Sequence, residues 1–419
     1  MPHFLKIDPS ILRQPAGLIA ALLAVAVALA VTTAPALAQE QTAENEFYPV
    51  RTEWAPIDST SPNVSHFIYR DLNRNGRYDV GDRPMIEVAV TMSGSNGATA
   101  MRRSNIQGFA NFTNSPIASP VDVSEPGTYE FVVQIPPGWE LTSGNGTQTL
   151  IYTLTPETRN GIVADHVPVP AGLAPILTID GRVAERSPEG DLVAASAIEL
   201  TATSPAGETE TIPLDADGNF SIPAEAGDWA FEVQKTDSIE VLTRTVTVGT
   251  APVRMSAIVV GETPPSPAAH EVVVDFETIT RSGITKMPNG IGGLNWDSLL
   301  AVDNEFYGGE GYINATMSGK YVAYNTSGYP VTIELEDGFD FRGGYFAVAW
   351  RSAEGETMQV RAWRGEQLLG SESVTLSSMG PFWFDADYRD ITRLEIATDH
   401  FWQFVTDDLT FRLDEPPAE

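Results

Sequence analysis

The chain has 419 residues, a formal net charge of −31 and no cysteine. So acidic a surface repels nucleic acid and anionic membrane, and the absence of thiols excludes disulfide staples and a cysteine nucleophile. The length exceeds one ordinary sandwich and points to two or three domains.

Residues 1–38 read as a secretory signal peptide. His3, Lys6 and Arg13 give a positive start, Leu18 to Val31 is an apolar run, and Ala36-Leu37-Ala38 offers a small-residue cleavage site. That run is short for a bilayer, and no later run is long enough to span one. The tail "LDEPPAE" carries neither a hydrophobic anchor nor a lipidation signal. The expectation is a secreted or periplasmic protein, with no membrane insertion once the leader is cleaved. Cleavage would remove Lys6, Asp8 and Arg13 and leave Lys235, Lys286 and Lys320 as the remaining lysines.

Residues 39–63 form a polar lead-in. From 64 the pattern alternates, as half-buried strands do: "VSHFIYRD", "IEVAVTMSG", "GFANF" and "GTYEFVVQIPPGW". Between the first two lies "DLNRNGRYDVGD". Its spacing fits a twelve-position calcium loop. Asp71, Asn73 and Asn75 stand at positions 1, 3 and 5, Gly76 at the sharp turn, Arg77 at the backbone-carbonyl position, and Asp79 and Asp82 at positions 9 and 12. Hard oxygens at these intervals can wrap Ca2+ as the chain curls. Asp at position 12 is shorter than the usual Glu. A metal-free Asn/Gly-rich hairpin turn is the plain alternative.

The proline-bearing "VPVPAGLAP", 167–175, separates this first block, 64–168, from a second at 173–261. The second repeats the same order of strands and turns, with a tight-turn signal in "DADG", 215–218. "GETPPSPAAH" then marks a Pro-rich linker, 262–269. The last block, 270–414, holds Trp296, Trp350, Trp363, Trp383 and Trp402, opens "EVVVDFETIT" and closes "FVTDDLTFRL". Should its first and last strands lie together, Asp275, Glu277, Asp407 and Asp408 could meet and hold a second calcium. Solvent-facing strand ends are the alternative. Trp363 and Trp402, set between polar neighbours, are candidate platforms for sugar rings, where Trp350 reads as core. No amphipathic helix is legible after the leader.

The stretch from "FIYRDLNRNGRYDVGDRPMIEVAVTMSG" to "GTYEFVVQIPPGW" resembles the B-type repeat domain of serine–aspartate repeat adhesins. That resemblance implies a prealbumin-like, calcium-binding sandwich acting as a rigid spacer. The second block is similar to collagen-binding B-type, or carboxypeptidase-regulatory-like, sandwiches. The third resembles jelly-roll carbohydrate-binding modules. A serine–aspartate tract and a sorting signal are missing from the sequence, and the first block has no lysine for an isopeptide crosslink.

The four histidines after the leader are scattered, and no H-E-x-x-H, G-x-S-x-G or phosphate loop occurs. The sequence therefore reads as an all-β, non-catalytic protein: tandem Ig-like or prealbumin-like sandwiches and a jelly roll. A calcium-stiffened stalk would present a face for a glycan or cell-surface polymer. The alternatives are a structural envelope or matrix protein that binds protein partners, and a carboxylate-dependent polysaccharide hydrolase.

Overall fold

The structure is a computed structural model that describes residues 63–113, 125–154, 162–236, 238–239, 241–262 and 264–415. The expected leader, and the lead-in up to residue 62, lie outside the described residues.

Alternation becomes sheet directly. In the strand Gly127–Val133, Tyr129, Phe131 and Val133 are buried and Thr128 and Glu130 are exposed. The first block folds as two facing sheets. One carries Arg83–Pro84, Asn63–Arg70, Ala171–Pro175 and Trp139–Leu141, with Phe109–Thr113 on the first half of Asn63–Arg70. The other runs Thr99–Arg103, Ala89–Gly94, Gly127–Val133, Thr147–Leu154 and Ile162–Ala164. Ile68, Val90, Phe112, Phe131 and Leu150 fill the space between them. The second block repeats the plan. Thr178–Arg186 and its partners face a four-stranded sheet of Thr209–Ile212, Ile198–Thr203, Gly227–Lys235 and Val241–Val248.

The third block is built on two long antiparallel strands, Val331–Val348 and Phe382–Thr398, with Phe404–Leu413 on the other side of the former. Register shifts between Glu334 and Gly343 mark bulges, which bend strands of this length so that they can serve curved sheets. His270–Val274 pairs antiparallel with Phe404–Leu413, so the first and last strands of the block do lie side by side.

One helix departs from the sequence expectation. Glu310–Asn314 is a short α-helix with Gly311, Tyr312, Ile313 and Asn314 all buried. Five residues cannot sustain a helix alone, so packing holds it. Tyr312 lies with Val302, Val322, Tyr324 and Val405 on the face of the sheet turned away from the main core. Among the described residues no helix is long and apolar enough to cross a membrane.

The blocks are not strung out as a linear stalk, which corrects the arrangement read from sequence. Val253–Met255 pairs in parallel with Trp383–Asp385, so one sheet runs from the second block into the third. Arg244 seals that seam: its guanidinium meets the Asp385 carboxylate at 2.6 Å, and both side chains are largely buried. The Pro-rich segment is pinned to the third block as well, with Arg389 donating to the Pro265 carbonyl (2.8 Å) and the Ala268 N–H to Asp340 (2.8 Å). The first block docks from another side. Arg70, fully buried, donates to the carbonyls of Asn314 (2.7 Å) and Thr316 (2.5 Å). Burial draws its pKa down to about 10. The Asn314 side chain accepts from the Ile86 N–H (3.1 Å) and donates to the carbonyls of Ile86 and Ser378. Trp139 packs where a side chain at Gly380 would have to go.

Candidate functional site

The twelve-residue loop closes on itself. The Asp71 carboxylate, wholly buried, accepts N–H bonds from Asn75 (3.2 Å) and Gly76 (2.8 Å). Asn73 accepts from the Asn75 N–H (3.0 Å), and Asn75 from the Arg77 N–H (2.8 Å). Asp79 accepts from the side-chain amides of Asn73 (3.0 Å) and Asn75 (2.7 Å). Asp82 reaches back to the N–H groups of Leu72 (2.9 Å) and Asp79 (3.0 Å). Its carboxyl is pushed above the usual range, first by burial. Gly76 sits at φ +75°, where a side chain would be strained and would crowd the Thr142 carbonyl. The five oxygen-bearing side chains of the motif thus meet in one loop.

The four acids of the third block also gather, around the segment 317–321. Asp407 accepts from the N–H groups of Met317 (2.7 Å) and Ser318 (3.1 Å). The Ser318 hydroxyl donates to Asp408 (2.7 Å), and Glu277 accepts from the N–H groups of Lys320 (2.6 Å) and Tyr321 (2.7 Å). Pairing of Val274 with Leu409 brings Asp275 alongside. Burial, then the charge of Asp408, pushes Asp407 up to about 7. Asp407, Asp408 and Glu277 thereby anchor the 317–321 loop. Among the described residues no three His, Asp or Glu side chains are grouped closely enough to grip a metal ion by themselves.

The two tryptophans singled out in the sequence are separated. Trp363 pairs with Arg393 and Met358 with Thr398, so roughly 17 Å of strand lies between Trp363 and the turn leading to Trp402. The Arg393 guanidinium lies 4.2 Å from the Trp363 ring centre, covering one face. Trp402 is 38% exposed and has company the sequence reading missed: Phe401 is 66% exposed and Tyr329 is 58%. Two abutting loops carry the three rings. Asn325, buried at the end of Tyr321–Asn325, ties them together. It donates to the carbonyls of Tyr329 (3.2 Å) and Trp402 (3.4 Å), and accepts from the Phe404 N–H (2.7 Å). Phe401 is held at φ +59°, and a Cβ at Gly328 would overlap the Phe401 carbonyl oxygen. The backbone that carries these exposed rings is thus closely constrained on both loops. An asparagine closing the otherwise apolar "YVAYN" was the available sequence signal.

No protein-family model matches the chain, and no curated protein matches it. Solved structures do align in part. The Bacillus anthracis TIE protein aligns at 13% identity and a TM-score of 0.20, over 48% of this chain and 34% of its own; this chain thus spans about a third of that one. The CBM22-1 xylan-binding domain of Paenibacillus barcinonensis Xyn10C aligns at 15% identity and 0.23, over 36% of this chain and 99% of the domain. A streptococcal ancillary pilin aligns at 13% identity and 0.21, over 47% of this chain and 62% of its own.

Proposed function

We propose that the protein is a non-catalytic binding protein that works outside the cytoplasm. In this reading its third sandwich offers Tyr329, Phe401 and Trp402 to a glycan or similar surface polymer. The observation that carries it is the exposure of three large rings on loops locked by a buried asparagine. Aromatic faces stack on the C–H faces of sugar rings, and loss of one ring from such a platform costs affinity directly. Affinity electrophoresis of the full chain through gels cast with neutral polysaccharides is the test. Retardation that falls at least tenfold in Trp402→Ala and Tyr329→Ala supports the proposal. Retardation by none of the polymers, or variants that migrate as wild type does, rejects it.

Calcium belongs to the same reading as a structural ion. The donor set of the 71–82 loop fits a hard cation: three carboxylates and two amide oxygens on one closed turn of chain. Bound there, Ca2+ would supply charge neutralisation for Asp71, Asp79 and Asp82. The loop joins Asn63–Arg70 to Arg83–Pro84, paired neighbours in one sheet, so the ion would brace that pairing. Calorimetric titration with CaCl2, and melting in EDTA, test this part separately.

A further inference from the structure

The seam between the second and third blocks holds a groove of about 750 Å³ that neither block could make alone. Pro213 and Leu214 supply accessible apolar surface; Asp180, Arg182, Asp215, Arg254 and Glu372 supply charge; and Ser221, Ser371 and Ser373 supply hydroxyls. Asn219–Pro223 on one side and Gln367–Thr375 on the other each pair with a single neighbouring strand, so both walls include an open strand edge. The volume lies within the range of small-ligand sites.

The geometry points to a second binding site here, for a neutral, hydroxyl-rich oligosaccharide. The charges argue against other guests. Arg254 is already paired with Asp180, and Arg182 is spent on the carbonyls of Asp217 and Leu192. An anion would face Asp180, Asp215 and Glu372. A cation would have to compete with Arg254 for Asp180, and with the N–H groups of Asp217, Asn219 and Ala257 already donating to Asp215 and Glu372. A neutral sugar chain asks for neither. Its hydroxyls meet the charged groups and the serines as both donors and acceptors, and its C–H faces meet Pro213 and Leu214. The site does not need the aromatic platform, being lined by other residues.

The test uses the full chain carrying Trp402→Ala and Tyr329→Ala, so that the platform is silent. Calorimetry is run with cellohexaose, xylohexaose and mannohexaose, with hexagalacturonate and with a six-residue Thr-Val peptide. One neutral hexasaccharide should bind at one site per chain. Ser221→Ile and Ser373→Ile, exposed strand positions on opposite walls that accept a β-branched residue, should each weaken it tenfold or more with the melting temperature unchanged. Absence of neutral-sugar binding in this background, indifference to both substitutions, or preference for the acidic sugar or the peptide overturns the proposal. Binding seen only with the platform intact would leave the platform reading standing and remove the groove.

Discussion

Glu372 offers the sharpest quantitative test of how the second and third blocks are joined. It lies on Gln367–Thr375, is 9% exposed, and accepts the Ala257 N–H at 2.9 Å from across the seam. No basic side chain forms an ion pair with it among the described residues. Burial pushes its carboxyl from 4.5 up to about 7, against the pull of that N–H and of Arg182 and Arg244. The sign follows from linkage. Below pH 4.5 the group is protonated in both states and costs nothing. Between 4.5 and 7 the unfolded chain ionises first, and above 7 the folded protein carries a buried charge. The displacement corresponds to about 3 kcal/mol of lost stability at pH 8. Glu372→Gln keeps an oxygen for Ala257 and removes the charge. It should be near neutral at pH 4.5 and stabilise by up to about 3 kcal/mol at pH 8. Urea unfolding followed by tryptophan fluorescence reads the whole fold, with Trp383, packed against the core of the second block, as the reporter at the seam. A variant that shifts the midpoint equally at both pH values, or destabilises more at pH 8, refutes the reasoning.

Acid should act oppositely on the first block. His66 is buried and depressed to about 4 by desolvation, so its stabilising neutral state is complete above 6.5 and is lost as pH falls towards 4, a change of about 3 kcal/mol. Melting of His66→Gln should accordingly depend less on pH over that span than melting of the wild type. Arg70→Ala leaves the Asn314 and Thr316 carbonyls without their charged donor, and should cost about 3 kcal/mol and open the junction of first and third blocks to limited proteolysis. Gly328→Ala should displace Phe401 and weaken polymer retardation as strongly as Trp402→Ala does, with the melting temperature down by several degrees. Chelation should lower the melting temperature of the wild type but leave Asp71→Asn/Asp82→Asn unmoved, if the loop is the cation's seat.

The β class was legible because a period of two is hard to disguise: "GTYEFVV" and "IELTAT" read as strands and are strands. That 71–82 closes into one loop was legible because its hydrogen bonds are local, linking residues a few positions apart. What escaped was non-local. Val253–Met255 is three residues long and has no pattern of its own; only its parallel partner gives it meaning. Nothing local in "VSHFIYRD" distinguishes Arg70, whose carbonyl partners lie 244 and 246 residues away. The helix at 310–314 is buried around most of its circumference, so no polar face could announce it. Tyr329 and Trp402 are brought together by one asparagine's two donors, a relation that no spacing rule contains.

The parallel pairing of Val253–Met255 with Trp383–Asp385 also imposes an order of events during synthesis. At about 5–20 residues per second, the ~130 residues between those partners take on the order of ten seconds to emerge. Until then the second sandwich waits with one flank incomplete, a bare template for any passing strand. A chain cut short after residue 262 should therefore be the aggregating species, and the intact chain should gain its solubility only when its last third arrives.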